Sequence, residues 1–329
     1  MVMAGAGVET GVASWNGLLN VNKPAGWTSH DVVAKLRGLL RVGKIGHAGT
    51  LDPAATGVLP VLVGKATRIA EYLVDWDKEY RAVLRLGETT DTQDATGRVL
   101  QRQSVDRLTE ETMRSVIGRF QGPVAQLPPM YSAVKVEGVP LYKAARAGRT
   151  VERGVRQVVI HEIEITGIVG REVSLRIVCS KGTYIRTLCA DIGEALGVGG
   201  HLRSLERQRV GSLTLEKALS IEEIQSRLAV GRLSEALVSL DAALAALPAV
   251  IVDAETAARV VHGVPVPLEA LEQRHAAELT HTGPVRIKDQ AGRLLAIGRM
   301  PSGEAAPSPS GSAHMAIVRV LADPPGGLK

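Results

Sequence analysis

From Tyr80 to Leu86 the apolar residues Tyr80, Ala82, Leu84 and Leu86 alternate with Arg81, Val83 and Arg85, the period-two pattern of a half-buried strand. The same alternation returns in Val158 to Ile168 and in Val173 to Cys179. Segments of helical periodicity lie among these strands without strict alternation. That mixture predicts an α+β architecture rather than a parallel sheet wound with crossover helices.

Upstream, Gly17 to Asn22 reads as a strand closed by Lys23 and Pro24. Thr28 or Ser29 can then cap a helix whose apolar face is Val32, Val33, Leu36, Leu39 and Leu40. A Gly-rich loop spans Gly43 to Gly49, Gly57 to Gly64 reads as an apolar strand, and Ala66, Ile69, Ala70 and Leu73 mark a further helix. Thr109 caps a helix carrying Leu108, Met113, Val116, Ile117 and Phe120, with Gly122 and Pro123 as its stop. Lys181 and Gly182 lead into a helix with Ile185, Leu188, Cys189, Ile192 and Leu196. Ser220 and Glu223 form a capping-box pair ahead of further helical signals that end near Leu247 and Pro248.

With 329 residues the chain has room for two domains, and the boundary is expected at residue 248. Residues 1–16 are expected to be a flexible tail. Beyond 248 come a helix from Ala254 to His262, a hairpin around Asp289 to Gly292, a surface loop over the Pro and Ser run Pro301 to Ala313, and a strand from Met315 to Leu321. Residues 124–157 read differently from the rest: a basic insertion with Lys135, Lys143, Arg146, Arg149, Arg153 and Arg156 against only two acids, Glu137 and Glu152.

Nine aromatic residues all fall between Trp15 and Tyr184. Cores must therefore be built from Val, Leu, Ile and Ala, and a base-stacking platform cannot lie in the C-terminal part. The net charge of +5 admits a nucleic-acid partner but is equally a product of Arg-rich composition. Cys179 and Cys189 lack the spacing of a zinc site or a redox dithiol, so buried reduced thiols are expected. No stretch reaches membrane-spanning length and the first residues lack a signal peptide, which predicts a cytoplasmic protein.

The segment Gly46-His47-Ala48-Gly49-Thr50-Leu51-Asp52-Pro53-Ala54-Ala55-Thr56-Gly57-Val58-Leu59 concentrates the chemistry. Its glycines allow close backbone approach, and Pro53 restricts the chain after Asp52. A plain turn holding an Asp reads the same way. Neither phosphate-binding glycine motif is present, nor a serine elbow, nor His and carboxylates at metal spacing, so a lone carboxylate is the leading catalyst.

This segment closely resembles the catalytic motif of the TruB family of tRNA pseudouridine synthases, and further stretches resemble the family in order. They are Asn22-Lys23-Pro24 with Gly26 and Ser29, Asp77-Lys78-Glu79-Tyr80, Tyr131-Ser132-Ala133-Val134-Lys135 to Leu141-Tyr142, and Ser180-Lys181-Gly182-Thr183-Tyr184-Ile185-Arg186. The resemblance implies a pseudouridine synthase fold with a mixed, largely antiparallel central sheet over residues 17–247. It also implies a small β-rich PUA-like RNA-binding domain over 248–329.

By the same resemblance Asp52 is the nucleophile, Arg186 its ion-pair partner, and Tyr80 the residue that stacks on the target base. Tyr184 and Leu205 line the pocket, and His47 stacks against or replaces a displaced nucleotide. Lys23, Lys135, Lys143, Arg146, Arg149, Arg153 and Arg156 would bind RNA, the last six as a mobile arm. From the residues alone, Arg186 could be a surface helix residue, Tyr80 and Leu205 core residues, and His47 a hydrogen-bonded loop residue. Gly199-Gly200-His201 and Glu206 depart from the common family pattern near the pocket.

The implied reaction makes pseudouridine at position 55 of the tRNA T-loop, after the base is drawn out of its stack. Detaching N1 from C1′ and joining C5 there involves no net redox change, so no cofactor or metal is expected. Attack at C1′, attack at C6 and a glycal route all remain open for Asp52. The chain is expected to act alone as a monomer. A guide-RNA-dependent enzyme of ribosomal RNA and a non-catalytic tRNA-binding protein are the alternatives, and the inserted arm, which guided relatives typically lack, argues against the first.

Overall fold

A computed structural model describes residues 15–132, 135–136, 138–141, 151–271, 283–301 and 314–324. Its strands, in chain order, begin with β1 Gly17–Lys23, β2 Ile45–His47, β3 Thr56–Val63 and β4 Lys78–Leu86. Next come β5 Glu88–Thr90, β6 Val99–Arg102, β7 Gly122–Gln126, β8 Lys135–Val136, β9 Val139–Pro140, β10 Arg156–Val169 and β11 Glu172–Cys179. The last seven are β12 Gly200–Val210, β13 Leu213–Thr214, β14 Ala249–Val252, β15 Val266–Pro267, β16 Pro284–Asp289, β17 Leu294–Arg299 and β18 His314–Val320. The α-helices are α1 Ser29–Leu40, α2 Ala70–Val74, α3 Glu110–Gly118, α4 Ile185–Ala195, α5 Ile221–Ala229, α6 Leu240–Ala243 and α7 Ala254–Val260.

The central sheet runs β1-β3-β12-β4-β11-β10-β7, with β2 added on β3 and β13 on β12. Within this sheet, among the described residues, only β12 and β3 pair in parallel, through Glu206 with Thr56 and Arg207 with Gly57. The expected α+β class and mixed, largely antiparallel sheet are therefore the architecture found. The even-numbered residues of β4 face α4, where Tyr80, Leu84, Ile177, Leu188 and Ile192 share one core. Leu188 and Ile192 are completely buried, and truncating either to Ala costs about 2–5 kcal/mol.

Helix α1 starts where its sequence directs: Thr28 accepts from the Asp31 amide at 3.0 Å, and Asp31 accepts from the Thr28 amide at 2.8 Å. Of the two candidate caps, Thr28 takes the role, which leaves the Ser29 hydroxyl for a tertiary contact. The Ser220–Glu223 capping box is likewise present at α5.

Three expectations are corrected. The loop Gly43 to Gly49 contains β2, too short for a periodic signal, and Ala66 to Leu73 forms a 3-10 helix, Gly64–Ile69, followed by the single turn of α2. Gly122 and Pro123 open β7 instead of merely stopping α3. The inserted segment is thus shorter than 124–157 at both ends, since Val124 to Gln126 pair with Arg156 to Val158 inside the sheet. The tail residues 1–14, much of the arm (including Lys143, Arg146 and Arg149) and Ser302 to Ala313 lie outside the described residues.

The C-terminal residues form a second, five-stranded sheet ordered β14-β16-β17-β18-β15, with α7 packed on it. Its core is Val, Leu, Ile, Ala and Met, as the aromatic-free composition requires. It is fastened to the main body by Asp241, which takes Arg286 Nη1 and Lys288 Nζ, each at 2.8 Å. Ile297 and Leu321 enter the core formed by Leu18, Leu62 and Leu73.

Candidate active site

Asp52 lies in the loop between β2 and β3, and the motif residues distant from it in sequence prove to be its mounting. Gly26, at φ +82°, donates its amide to the Pro53 carbonyl at 2.8 Å. The Ser29 hydroxyl accepts the Leu51 amide at 2.9 Å and donates to the Leu51 carbonyl at 3.2 Å. The Ala55 amide donates to the Asp52 carbonyl at 3.1 Å, closing the turn that Pro53 prepares.

Arg186, from the first turn of α4, meets Asp52 side-on: Nε is 2.9 Å from Oδ2 and Nη2 is 3.3 Å from Oδ1. Two parallel contacts of this kind fix orientation as well as charge. The guanidinium is almost fully buried and also donates to the Tyr131 carbonyl at 2.7 Å and the Thr92 carbonyl at 3.3 Å. Asp94 Oδ2 stands 3.8 Å from the same Nε. Burial pushes the Asp52 pKa up, Arg186 opposes this, and Asp94 reinforces it; the net direction is upward. The ion pair expected from the sequence is present, yet it does not bring this carboxyl below its ordinary range.

Asp52 opens on a cavity of about 240 Å³ lined by Tyr80, Tyr184, Leu205, Lys78, Ser132 and Arg207, among others. Tyr80 is both a core aromatic and a cavity wall, which reconciles the two readings of it. Tyr184 precedes α4, held by Gln126, which accepts from its amide at 3.0 Å. Leu205 packs partly buried against the same core. Asp52, Arg186, Tyr80, Tyr184 and Leu205, separated by up to 153 positions in sequence, are thus brought together.

Other expected residues are not. Lys23 is completely buried, its Nζ donating to the carbonyls of Trp27, Pro24 and Pro53 at 2.6, 2.9 and 3.2 Å. Its assignment as an RNA contact is corrected: the ammonium is spent on the loop that carries Asp52, and burial lowers its pKa to about 8. His47 sits on β2 outside the cavity walls, and its buried Nδ1 has no partner among the described residues, so the hydrogen-bonded loop reading fails. Of the arm cations, Arg153 donates to the Pro128 carbonyl at 2.8 Å, and Arg156 is exposed at the start of β10.

Two cations of the cavity wall had no role assigned from sequence. Lys78, two residues before Tyr80 on the same face of β4, donates to the carbonyls of Val74, at 2.6 Å, and of Trp76, and burial lowers its pKa to about 8. Arg207 on β12 is the largest fully buried side chain among the described residues. What the whole can do is place one oriented carboxylate beside an aromatic ring in a cavity with cationic walls.

Comparison with known proteins decides the lineage. Residues 37–185 match the family described as TruB family pseudouridylate synthase (N terminal domain), and 186–258 match the tRNA pseudouridylate synthase B C-terminal domain. A tRNA pseudouridine synthase B of Thermobifida fusca (strain YX) is 43% identical over 300 residues, covering 89% of this chain and 97% of the relative. The chain belongs to the TruB family. A second TruB-family relative, the tRNA pseudouridine synthase B of Ralstonia pickettii (strain 12J), is 47% identical over 258 residues, covering 77% and 80%.

Solved structures agree on the fold. A Cbf5-Nop10-Gar1 complex contains a chain superposing with a TM-score of 0.72 at 28% identity, covering 93% of this chain and 85% of that one. An H/ACA RNP bound to a substrate RNA containing 2'-deoxyuridine gives 0.71 at 26%, covering 94% and 86%. Within the TruB family match, Asp52 falls in the N-terminal span and Arg186 is the first residue of the C-terminal one.

Proposed function

We propose that this chain isomerises uridine to pseudouridine at position 55 in the T-loop of tRNA, with Asp52 as the nucleophile. The observation that carries the proposal is the side-on Asp52–Arg186 pair at the edge of a cavity walled by Tyr80. Family membership and near full-length likeness to enzymes named tRNA pseudouridine synthase B support the same reading.

The target uridine leaves its stack, at a cost of a few kcal/mol, and enters the cavity with its base against Tyr80. The N1–C1′ bond breaks, the base turns, and C5 bonds to C1′; the C5 hydrogen departs as a proton and N1 gains one. Ionised Asp52 acts at C1′, at C6 of the base or on the C2′ proton, and Arg186 keeps its oxygens aimed in each case. Tyr184 and Leu205 complete the walls.

The basic arm, with Lys135, Lys143, Arg146, Arg149 and Arg153, closes over RNA phosphates, and Arg156, exposed where the chain re-enters the sheet, adds to the same basic surface. Residues 17–247 form the catalytic domain, and 248–329 form a PUA-like domain that holds RNA through charge, backbone and shape. The enzyme works as a cytoplasmic monomer without a guide RNA or obligatory protein partner. Among the described residues no helix is long and apolar enough to cross a membrane.

Tritium release from a T-arm RNA carrying C5-labelled uridine tests this. The intact protein is expected to release tritium and Asp52→Asn to release none. Equal release by both would remove Asp52 from its role. Silence from both, with RNA still bound, would favour a non-catalytic tRNA-binding protein.

A further inference from the structure

Arg207 is unused by the chemistry above, yet among the described residues it is the largest fully buried side chain. Its partners are carbonyls in place of a carboxylate. Nε donates to Val58 at 2.7 Å, Nη2 to Gly49 at 3.1 Å and Nη1 to Thr50 at 3.3 Å. Gly49 and Thr50 precede Asp52 and Val58 follows it, so one rigid guanidinium grips both ends of the loop. Its planar fork aims separate donors at the three carbonyls in one fixed geometry, which an ammonium, a point charge on a flexible stem, does not reproduce.

The backbone of the same residue joins two strands. Arg207 is in register with Gly57 of β3 on one side and with Tyr80 of β4 on the other. At Gly57, with φ +100°, a β-carbon would stand 2.3 Å from the Arg207 carbonyl oxygen, so only glycine allows this approach. The guanidinium also faces the Tyr80 hydroxyl. Burying a cation is costly unless an ion pair offsets it, and among the described residues Arg207 has no carboxylate within ion-pair distance, at the place where the nucleophile loop meets the aromatic wall.

We infer that Arg207 is a positioning residue of the isomerisation: it locks the Asp52 loop and the Tyr80 ring into one register before RNA arrives. This rests on the proposed function. The role predicts that the loop is preset in the free protein and that disturbing it slows the chemical step while RNA binding holds. A displacement of about 1 Å at a reacting group can cost about 100-fold in rate.

Two variants and one measurement on the unaltered protein test the inference. Arg207→Lys, which keeps the charge, is expected to lower the single-turnover tritium-release rate about 100-fold, with T-arm RNA affinity within about threefold of the parent. The acid limb of its pH–rate profile should stay in place, because Arg186 contacts the Asp52 carboxylate while Arg207 bonds backbone carbonyls, whereas Arg186→Gln should move that limb. A folded Arg207→Lys protein with a rate close to the parent's, or with rate and affinity falling together, would overturn the inference.

The unaltered protein is followed by the Arg207 Nε–H resonance, so the question survives variants that fail to fold. Slow exchange and an unchanged shift with and without RNA are expected. Rapid exchange in the free protein with protection only on RNA binding would overturn the preset register. If the unaltered protein releases no tritium at all, the proposed isomerisation itself falls, an outcome distinct from either result on Arg207.

Discussion

Arg186 Nε lies 2.9 Å from Asp52 Oδ2 while its Nη2 lies 2.7 Å from the Tyr131 carbonyl, so one guanidinium holds Asp52 and the root of the basic insertion at once. Burial raises the Asp52 pKa and Arg186 restrains it. The proposed role needs the ionised carboxylate, so the rate should fall with decreasing pH through a midpoint above that of an ordinary aspartate. Arg186→Gln should carry the midpoint further up and lower the maximal rate about 100- to 1,000-fold. Single-turnover profiles of both proteins check the direction; a midpoint moving down would remove Arg186 as the restraint.

The buried lysines give the fold an alkaline signature. Lys23 and Lys78 titrate near 8 in the folded chain and near 10.5 when exposed. Between those values the unfolded chain keeps protons that the folded chain has released, so each lysine makes stability rise with pH across that window. Replacing Lys78 by Met should remove its share of the rise, on the order of 2 kcal/mol. Denaturant titrations of parent and variant at pH 7.5 and 10 measure the difference; parallel pH dependences would contradict it.

Asp241 fastens the second sheet to the main body through Arg286 and Lys288. Asp241→Asn should cost about 1.5–3 kcal/mol through the weakening of these charge-assisted bonds. Those cations lower its pKa, so the stabilisation is present above the unfolded value and disappears as pH falls through the folded one. Hydrogen exchange should quicken in β16 and not in β4.

Neutralising Arg149, Arg153 and Arg156 together should flatten the salt dependence of RNA binding. Every phosphate that is no longer neutralised lowers the log–log slope by about 0.7–0.9. Binding curves for a T-arm RNA at several salt concentrations give the slope directly. An unchanged slope would take the arm out of phosphate binding.

Legibility followed regularity. Strand β4 and helices α1, α3 and α4 announce themselves because a simple period separates their buried from their exposed residues. Strand β12 does not, since bulges between Leu202 and Ser204 and between Arg207 and Arg209 shift the pairing register. Arg207 therefore sits among Arg203, Glu206 and Arg209 looking like one more solvated charge. Lys23 misleads for a related reason: a cation satisfied by three carbonyls has no signature in its own sequence neighbourhood. The Asp52 motif was readable because its glycines and proline are local, while its pairing with Arg186, 134 positions away, came through family resemblance and never through periodicity.

Arg156 and Gln126 are partners across β10 and β7, so the basic insertion leaves the sheet and re-enters it through adjacent positions. Such an attachment makes the arm a cassette. Its length and sequence can drift, or be replaced by a tight turn, without altering the strand order beneath it. Selection can therefore reshape the arm while the Asp52 site stays fixed, and the Tyr131 carbonyl on Arg186 is the seam where the two would have to stay matched.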